Sequence, residues 1–137
     1  MLGFFDFLGF SSKRRTALQL FDRMLANLEV NPAYIDDGMR FAIYKWAQVL
    51  ERHTGRPDAM DQIMPEAAAL ISFCVLGAEE TEALWGAEVR QAREARFTAA
   101  LRDENDDGFD ARLIKLALAK GIAAPDINAR VELDQGS

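Results

Sequence analysis

Cysteine and histidine are almost missing from this chain of 137 residues, which holds one of each, Cys74 and His53. A single cysteine cannot form an intramolecular disulfide, and this favours the reducing cytoplasm of a bacterial-type cell. Zinc sites combine several Cys and His ligands, so the chain has too few of them. No general-base partner for His53, nucleophile motif, phosphate loop or dinucleotide fingerprint is found. We therefore expect no cofactor and no enzymatic activity.

Strand patterns and long apolar runs are also scarce. No stretch alternates between apolar and polar residues with a period of two, and β-branched residues are few. The densest apolar run, residues 67–76, has the length of a buried core helix and is too short to span a bilayer. The apolar N-terminus does not match a secretory signal, because its cations follow the apolar stretch. The sequence therefore predicts an all-α protein: a single compact bundle of five or six helices.

The helices can be placed from apolar periodicity and from end signals. We expect no domain boundary within residues 1–137 and a frayed tail at 134–137. For the second helix, Asp36 or Asp37 is the candidate N-cap and Gly55 the C-terminal cap. Pro65 should separate a short turn from the third helix, and Gly77 should end that helix. The predicted helices are Ser12–Glu29, Gly38–His53, Glu66–Leu76, Glu79–Arg102, a fifth from an Asp110 N-cap to Gly121, and Pro125–Leu133.

Residues 1–11 form an apolar N-terminal segment that contains four of the nine phenylalanines and precedes three consecutive cations, Lys13 to Arg15. Apolar clusters of this kind are buried in a core, in a partner or in a lipid interface. All three alternatives stay open at this stage. The candidate contact residues are Phe4, Phe5, Phe7, Leu8 and Phe10.

The second helix is apolar around most of its circumference, which is typical of a helix that is central in the fold or lies at an interface. Trp46 lies near its middle and is the sixth candidate contact residue.

The acidic turn at residues 103–108 resembles the first half of an EF-hand loop. Asp103, Asn105, Asp107 and Gly108 occupy the first, third, fifth and sixth positions. The closing glutamate is missing, since Ile114 occupies the twelfth position. We therefore expect at most a weak calcium site, with Asp110 as a further ligand; the alternative is a solvated turn whose last aspartate caps the next helix.

Residues 113–133 are similar to a helix-turn-helix, with Gly121 in the turn. Lys120, Asn128 and Arg130 are its candidate nucleic-acid contacts. Acidic residues on the second helix oppose phosphate binding, and so does the net charge of −6 with a pI of about 4.8. Nucleic acid is therefore not the expected partner.

Three arginines step along the predicted fourth helix at three-residue spacing, Arg90, Arg93 and Arg96. They suggest either an anion-binding strip or a solvated face with local ion pairs.

The sequence as a whole favours a non-enzymatic protein–protein interaction module, an adaptor or regulator. Its partner is a different protein or a second copy of the chain, contacted through the apolar N-terminus and the Trp46 helix. A small DNA-binding regulator and a weak calcium-binding protein are the alternatives. Peripheral membrane contact through the N-terminus is a further one.

Overall fold

The computed structural model describes residues 2–102 and 108–136, with side chains for 12–102 and 108–133. The described residues form six α-helices and a 3-10 turn at Pro32–Tyr34, which confirms the predicted all-α bundle. The helices are α1 (Leu2–Asn27), α2 (Asp37–Thr54), α3 (Met60–Trp85), α4 (Ala87–Leu101), α5 (Phe109–Ala119) and α6 (Pro125–Gly136).

The α1 helix begins at Leu2, so the predicted start at Ser12 is wrong. Gly3 and Gly9 each weaken a helix by about 1 kcal/mol, but neither interrupts this one. Ala17, Phe21 and Leu25 turn a buried face toward the core. The N-terminal segment therefore continues a helix whose later turns are packed in the bundle.

Both predicted ends of α2 are confirmed. The Asp36 side chain accepts a hydrogen bond of 2.7 Å from the Met39 backbone N–H. The hydrogen bond and the cation Lys120 favour the charged carboxylate, and the pKa of Asp36 is lowered as a result. Gly55 ends the helix with φ +67°, a left-handed conformation that glycine adopts without a steric penalty.

The α3 helix is the centre of the bundle, and residues 67–74 are all buried. Pro65 does not divide it as predicted. It lies in the second turn, where its missing N–H removes one intrahelical hydrogen bond and the helix continues. Gly77 does end the first segment as predicted, with φ +88° and ψ +168°, and a second segment follows to Trp85.

By length and composition α3 passes the test for a membrane-spanning helix, with mean hydropathy 1.2 in its most apolar window. Two thirds of that window are buried against the other helices, and Gly77 interrupts its helical backbone. These are the properties of a core helix.

The predicted continuous helix Glu79–Arg102 is wrong, because Gly86 interrupts it. Gly86 has φ +95° and ψ +172°, a conformation accessible essentially to glycine alone. Residues 78–85 therefore end α3, and α4 starts at Ala87 in a new direction. Phe97 of α4 is fully buried and meets Phe73 of α3, with ring centroids 5.6 Å apart.

The last two helices pack on α3. The connection between them crosses the Gly77 break, where the Ala124 N–H donates a 2.8 Å hydrogen bond to the Cys74 carbonyl.

Cys74 itself is buried, and burial raises the pKa of its thiol to about 12. Cys74 is therefore a core residue. Helix α6 is described as far as Gly136, and the side chains of the predicted frayed tail lie outside the described residues.

Candidate interaction surface

One face of α2 remains open to solvent although the opposite face is fully buried. Phe41 and Val49 are 45% and 49% exposed, whereas Ile43 and Tyr44 have no exposed area. Phe41, Lys45, Val49 and His53 follow one another at four-residue spacing, so they lie along one side of the helix. We call these four residues the α2 stripe.

Cations surround the aromatic ring at the start of the α2 stripe. The Lys45 ammonium lies 5.2 Å from the centroid of the Phe41 ring, and the Arg14 guanidinium of α1 lies 5.8 Å from it. Both distances are within the range of cation–π interactions. Two cations therefore lie against this ring, although the chain as a whole carries a charge of −6.

The other end of the α2 stripe opens into a groove between α2 and the start of α5, which we call the Trp46 groove. Its volume is about 370 Å³, within the usual range for binding pockets. Trp46 is half-buried on its floor, and the Arg112 guanidinium lies 5.8 Å from the centroid of the indole ring. The groove is lined by Trp46, Val49, Leu50, His53, Gly108, Phe109 and Arg112.

A second recess of about 390 Å³ lies next to the groove on the side of α4, and Leu50, Gly108 and Phe109 line both. Here Asp110 accepts two hydrogen bonds from Arg96, of 2.8 and 2.7 Å. This pairing raises the pKa of Arg96.

The predicted N-cap role of Asp110 is wrong. Gly108 occupies the cap position, and the Asp110 carboxylate lies in the first turn of α5, where it binds Arg96.

The root of the N-terminal segment lies beside the same turns of α2. Lys13 pairs with Glu51 at 3.0 Å, and Glu51 also accepts a 3.2 Å hydrogen bond from the Met60 backbone N–H. Only three residues of α2 follow Glu51, whereas α1 continues eleven residues back from Lys13 to Leu2. At 1.5 Å per residue that is about 16 Å of helix. We call residues 2–11 the arm.

The six predicted contact residues fall into two groups. Trp46 is placed in the groove described above. The side chains of Phe4, Phe5, Phe7, Leu8 and Phe10 lie outside the described residues, so their contacts stay a prediction.

The predicted calcium ligands Asp103, Asn105 and Asp107 also lie outside the described residues. Asp110, the fourth, uses both carboxylate oxygens on Arg96. In the part of the chain that is described, no three His, Cys, Asp or Glu side chains are grouped so that they could hold a metal ion.

The predicted nucleic-acid contacts are engaged within the protein. Lys120 pairs with Asp36 at 3.0 Å, and Arg130 pairs with Glu94 and donates to the Thr98 hydroxyl. The Asn128 amide donates to the Ala123 carbonyl at 3.3 Å. Two of the three residues therefore have their charge compensated by a neighbouring carboxylate.

Two of the three arginines that step along α4 also pair with a carboxylate. Arg90 pairs with Glu82 at 2.9 Å and Arg96 with Asp110 at 2.7 Å. Burial, followed by the nearby Arg96 charge, lowers the pKa of Arg93. The observed pairing favours a solvated face with local ion pairs over a continuous anion-binding strip.

Sequence reasoning missed Phe109 and Arg112, which form the α5 side of the groove. Both residues are ordinary members of an amphipathic helix, and only the packing of α5 against α2 brings them to Trp46. The comparisons with known proteins find no match: no family model fits the chain, and neither a curated protein nor a solved structure matches it.

Proposed function

We propose that the protein is a non-enzymatic interaction module of the cytoplasm, which binds a protein partner through the arm and the α2 stripe with its groove. The observation that carries the proposal is the exposure of Phe41 and Val49 on one side of α2, continuous with a groove lined by Trp46 and Phe109. Isolated exposed apolar residues are normal on a protein surface. An aligned set beside an aromatic groove is typical of an interface.

Charge indicates what kind of partner suits this surface. Lys45 and Arg14 flank Phe41, and His53 and Arg112 line the groove. Among the described residues that line the groove, none is acidic. The complementary partner therefore presents aromatic or aliphatic side chains next to a carboxylate, and electrostatic attraction guides its orientation.

Cross-linking through lysine tests the proposal, because three of the four lysines of the chain distinguish the proposed surface from the rest of the protein. Lys45 is part of the α2 stripe and Lys13 is at the root of the arm, while Lys120 lies beside Asp36 at the other end of α2. Partner peptides recovered from host cells should be cross-linked to Lys45 and Lys13.

Two exposed-residue variants provide the matched comparison. Val49→Glu places a carboxylate in the α2 stripe, and we expect it to abolish those cross-links. Leu84→Glu changes a residue of similar exposure, 42%, on the second segment of α3, and should leave them intact. Cross-links that concentrate on Lys120, or that are equally sensitive to both variants, would contradict the proposed surface.

A further inference from the structure

We infer that the occupant of the Trp46 groove is the arm of a second copy of this chain, so that two molecules exchange arms in a two-fold dimer. The inference rests on the proposed function and names its partner. It follows from the direction of α1, from the position of the arm's root and from the chemistry of the arm and the groove.

The arm cannot reach the groove of its own molecule. Helix α1 is continuous from Leu2 through Lys13, so its first turns extend away from Lys13 and do not fold back. Lys13 contacts Glu51, which lies about 200° around α2 from Val49, at 100° per residue. An arm in a Trp46 groove therefore belongs to another molecule.

The arm's root and the groove lie at the same level of the bundle. Glu51 binds the root, and Val49, Leu50 and His53 of the same two turns line the groove. In a two-fold dimer, the arm of each molecule must reach the groove of the other in the same way. Placement of both on the end of α2 meets this requirement, because each arm then leaves its own bundle beside the groove of the other.

The sequence of the arm complements the groove. Phe4, Phe7 and Leu8 have the i, i+3, i+4 spacing with which a helix anchors in an apolar groove. Asp6 is the one charged residue among residues 1–12, and among the described residues that line the groove the basic ones are His53 and Arg112. The apolar side chains and the carboxylate of the arm thus complement the aromatic and basic side chains of the Trp46 groove.

The buried area is sufficient for a stable dimer. A phenylalanine buries about 150–250 Å², so two per arm and two arms give about 600–1,000 Å². The groove side loses a similar area, and the total reaches the range of about 1,200–2,000 Å² found in specific interfaces.

Sedimentation equilibrium of the full-length chain tests the arm exchange. We expect a dimer at micromolar concentration. Phe4→Asp combined with Phe7→Asp, and separately Val49→Glu, should each raise the dimer dissociation constant at least about 100-fold, because each places a carboxylate in the apolar contact. Leu84→Glu should leave it unchanged. Circular dichroism establishes that every variant is folded.

Mixing the variants makes the test specific to arm exchange. The arm variant keeps an intact groove and the Val49→Glu variant keeps an intact arm, so an equimolar mixture restores one arm–groove contact. We expect the mixture to associate more tightly than either variant alone. An interface between two arms predicts no effect of Val49→Glu, and that result would overturn the inference.

The remaining outcomes also decide the question. A wild-type chain that is monomeric at micromolar concentration overturns the arm exchange, and so does a monomer whose arm binds vesicles of anionic phospholipid. The proposed function would survive a monomer that still cross-links a different protein at Lys45. Loss of both the dimer and those cross-links would remove the inference and the function together.

Discussion

The carboxylate of Asp126 caps the helical segment that restarts after Gly77. It accepts hydrogen bonds from the backbone N–H groups of Ala78 at 3.0 Å and Glu79 at 3.3 Å, across 48 and 47 residues of sequence. A side chain at position 77 would place its Cβ 2.3 Å from an Asp126 oxygen. The glycine is therefore required twice, for its backbone conformation and for the approach of α6.

The double requirement at Gly77 predicts the cost of Gly77→Ala relative to Gly86→Ala. Both glycines have nearly the same φ and ψ, but a Cβ at Gly86 would meet nothing within 4 Å. Both substitutions share a conformational cost of about 1–3 kcal/mol, and Gly77→Ala should lose about 1–3 kcal/mol more through overpacking. Urea denaturation measures the difference. The excess should shrink in an Asp126→Ala background, and equal costs for the two glycines would contradict the steric argument.

Removal of the Asp126 cap should destabilise the protein by about 1–2 kcal/mol, as loss of an N-cap does elsewhere. Asp126→Asn should cost less than Asp126→Ala because the amide oxygen still accepts a hydrogen bond. Glu132→Ala on the same helix, at an exposed position, is the control and should stay within about 0.5 kcal/mol of wild type. If the two alanine variants unfold at the same urea concentration, the cap contributes nothing.

Lowering the pH should reduce the stability of the folded protein, in part because Asp36 becomes protonated. Its pKa is lowered in the folded state by the Met39 N–H and by Lys120, so the unfolded chain binds the proton more readily. The stabilisation is complete above the ordinary value of 3.8 and is lost as the pH falls through the lower folded pKa. Melting temperatures measured from about pH 6 to pH 2 should depend less on pH in Asp36→Asn than in wild type. Asp37→Asn, a fully exposed neighbour, is the matched control for the change of charge.

Calcium should bind no better than about millimolar, the weak end of the known range, because the loop lacks its closing glutamate. Asp110 already accepts two hydrogen bonds from Arg96, and the guanidinium charge beside it opposes a second cation. Calorimetric titration should show weak binding or none, with no change in Asp110→Asn. A micromolar dissociation constant that disappears in Asp103→Ala would instead make this turn the functional site.

Duplex DNA should not be retained at physiological salt. Lys120 and Arg130 already pair with Asp36 and Glu94, and phosphate contacts would have to replace these ion pairs. Fluorescence anisotropy with a labelled duplex checks this expectation. Tight binding that falls steeply with salt, and that Arg130→Ala weakens, would favour a DNA-binding regulator over a protein–protein interaction module.

Local signals in the sequence were sufficient for the helices whose ends are capped by neighbouring residues. Asp36 and Gly55 define α2 because a cap hydrogen bond and a left-handed glycine act within one turn of the helix. Gly86 was missed, although it too is a glycine, because the residues on both sides of it favour helix. Pro65 was overestimated, because the local cost of a proline inside a helix, about 3 kcal/mol, is outweighed by the burial of residues 67–74 that follow it.

The sequence by itself determined the all-α class, the burial of residues 67–74 of α3 and the apolar character of the N-terminal segment, because helix propensity and apolar periodicity are local properties. Only the tertiary structure decided that Asp126 caps residues 78 and 79, that Asp110 binds Arg96, and that Phe109 and Trp46 form one groove. These contacts join residues far apart in the chain. Their energies depend on how whole helices pack, and no short stretch of sequence encodes that geometry.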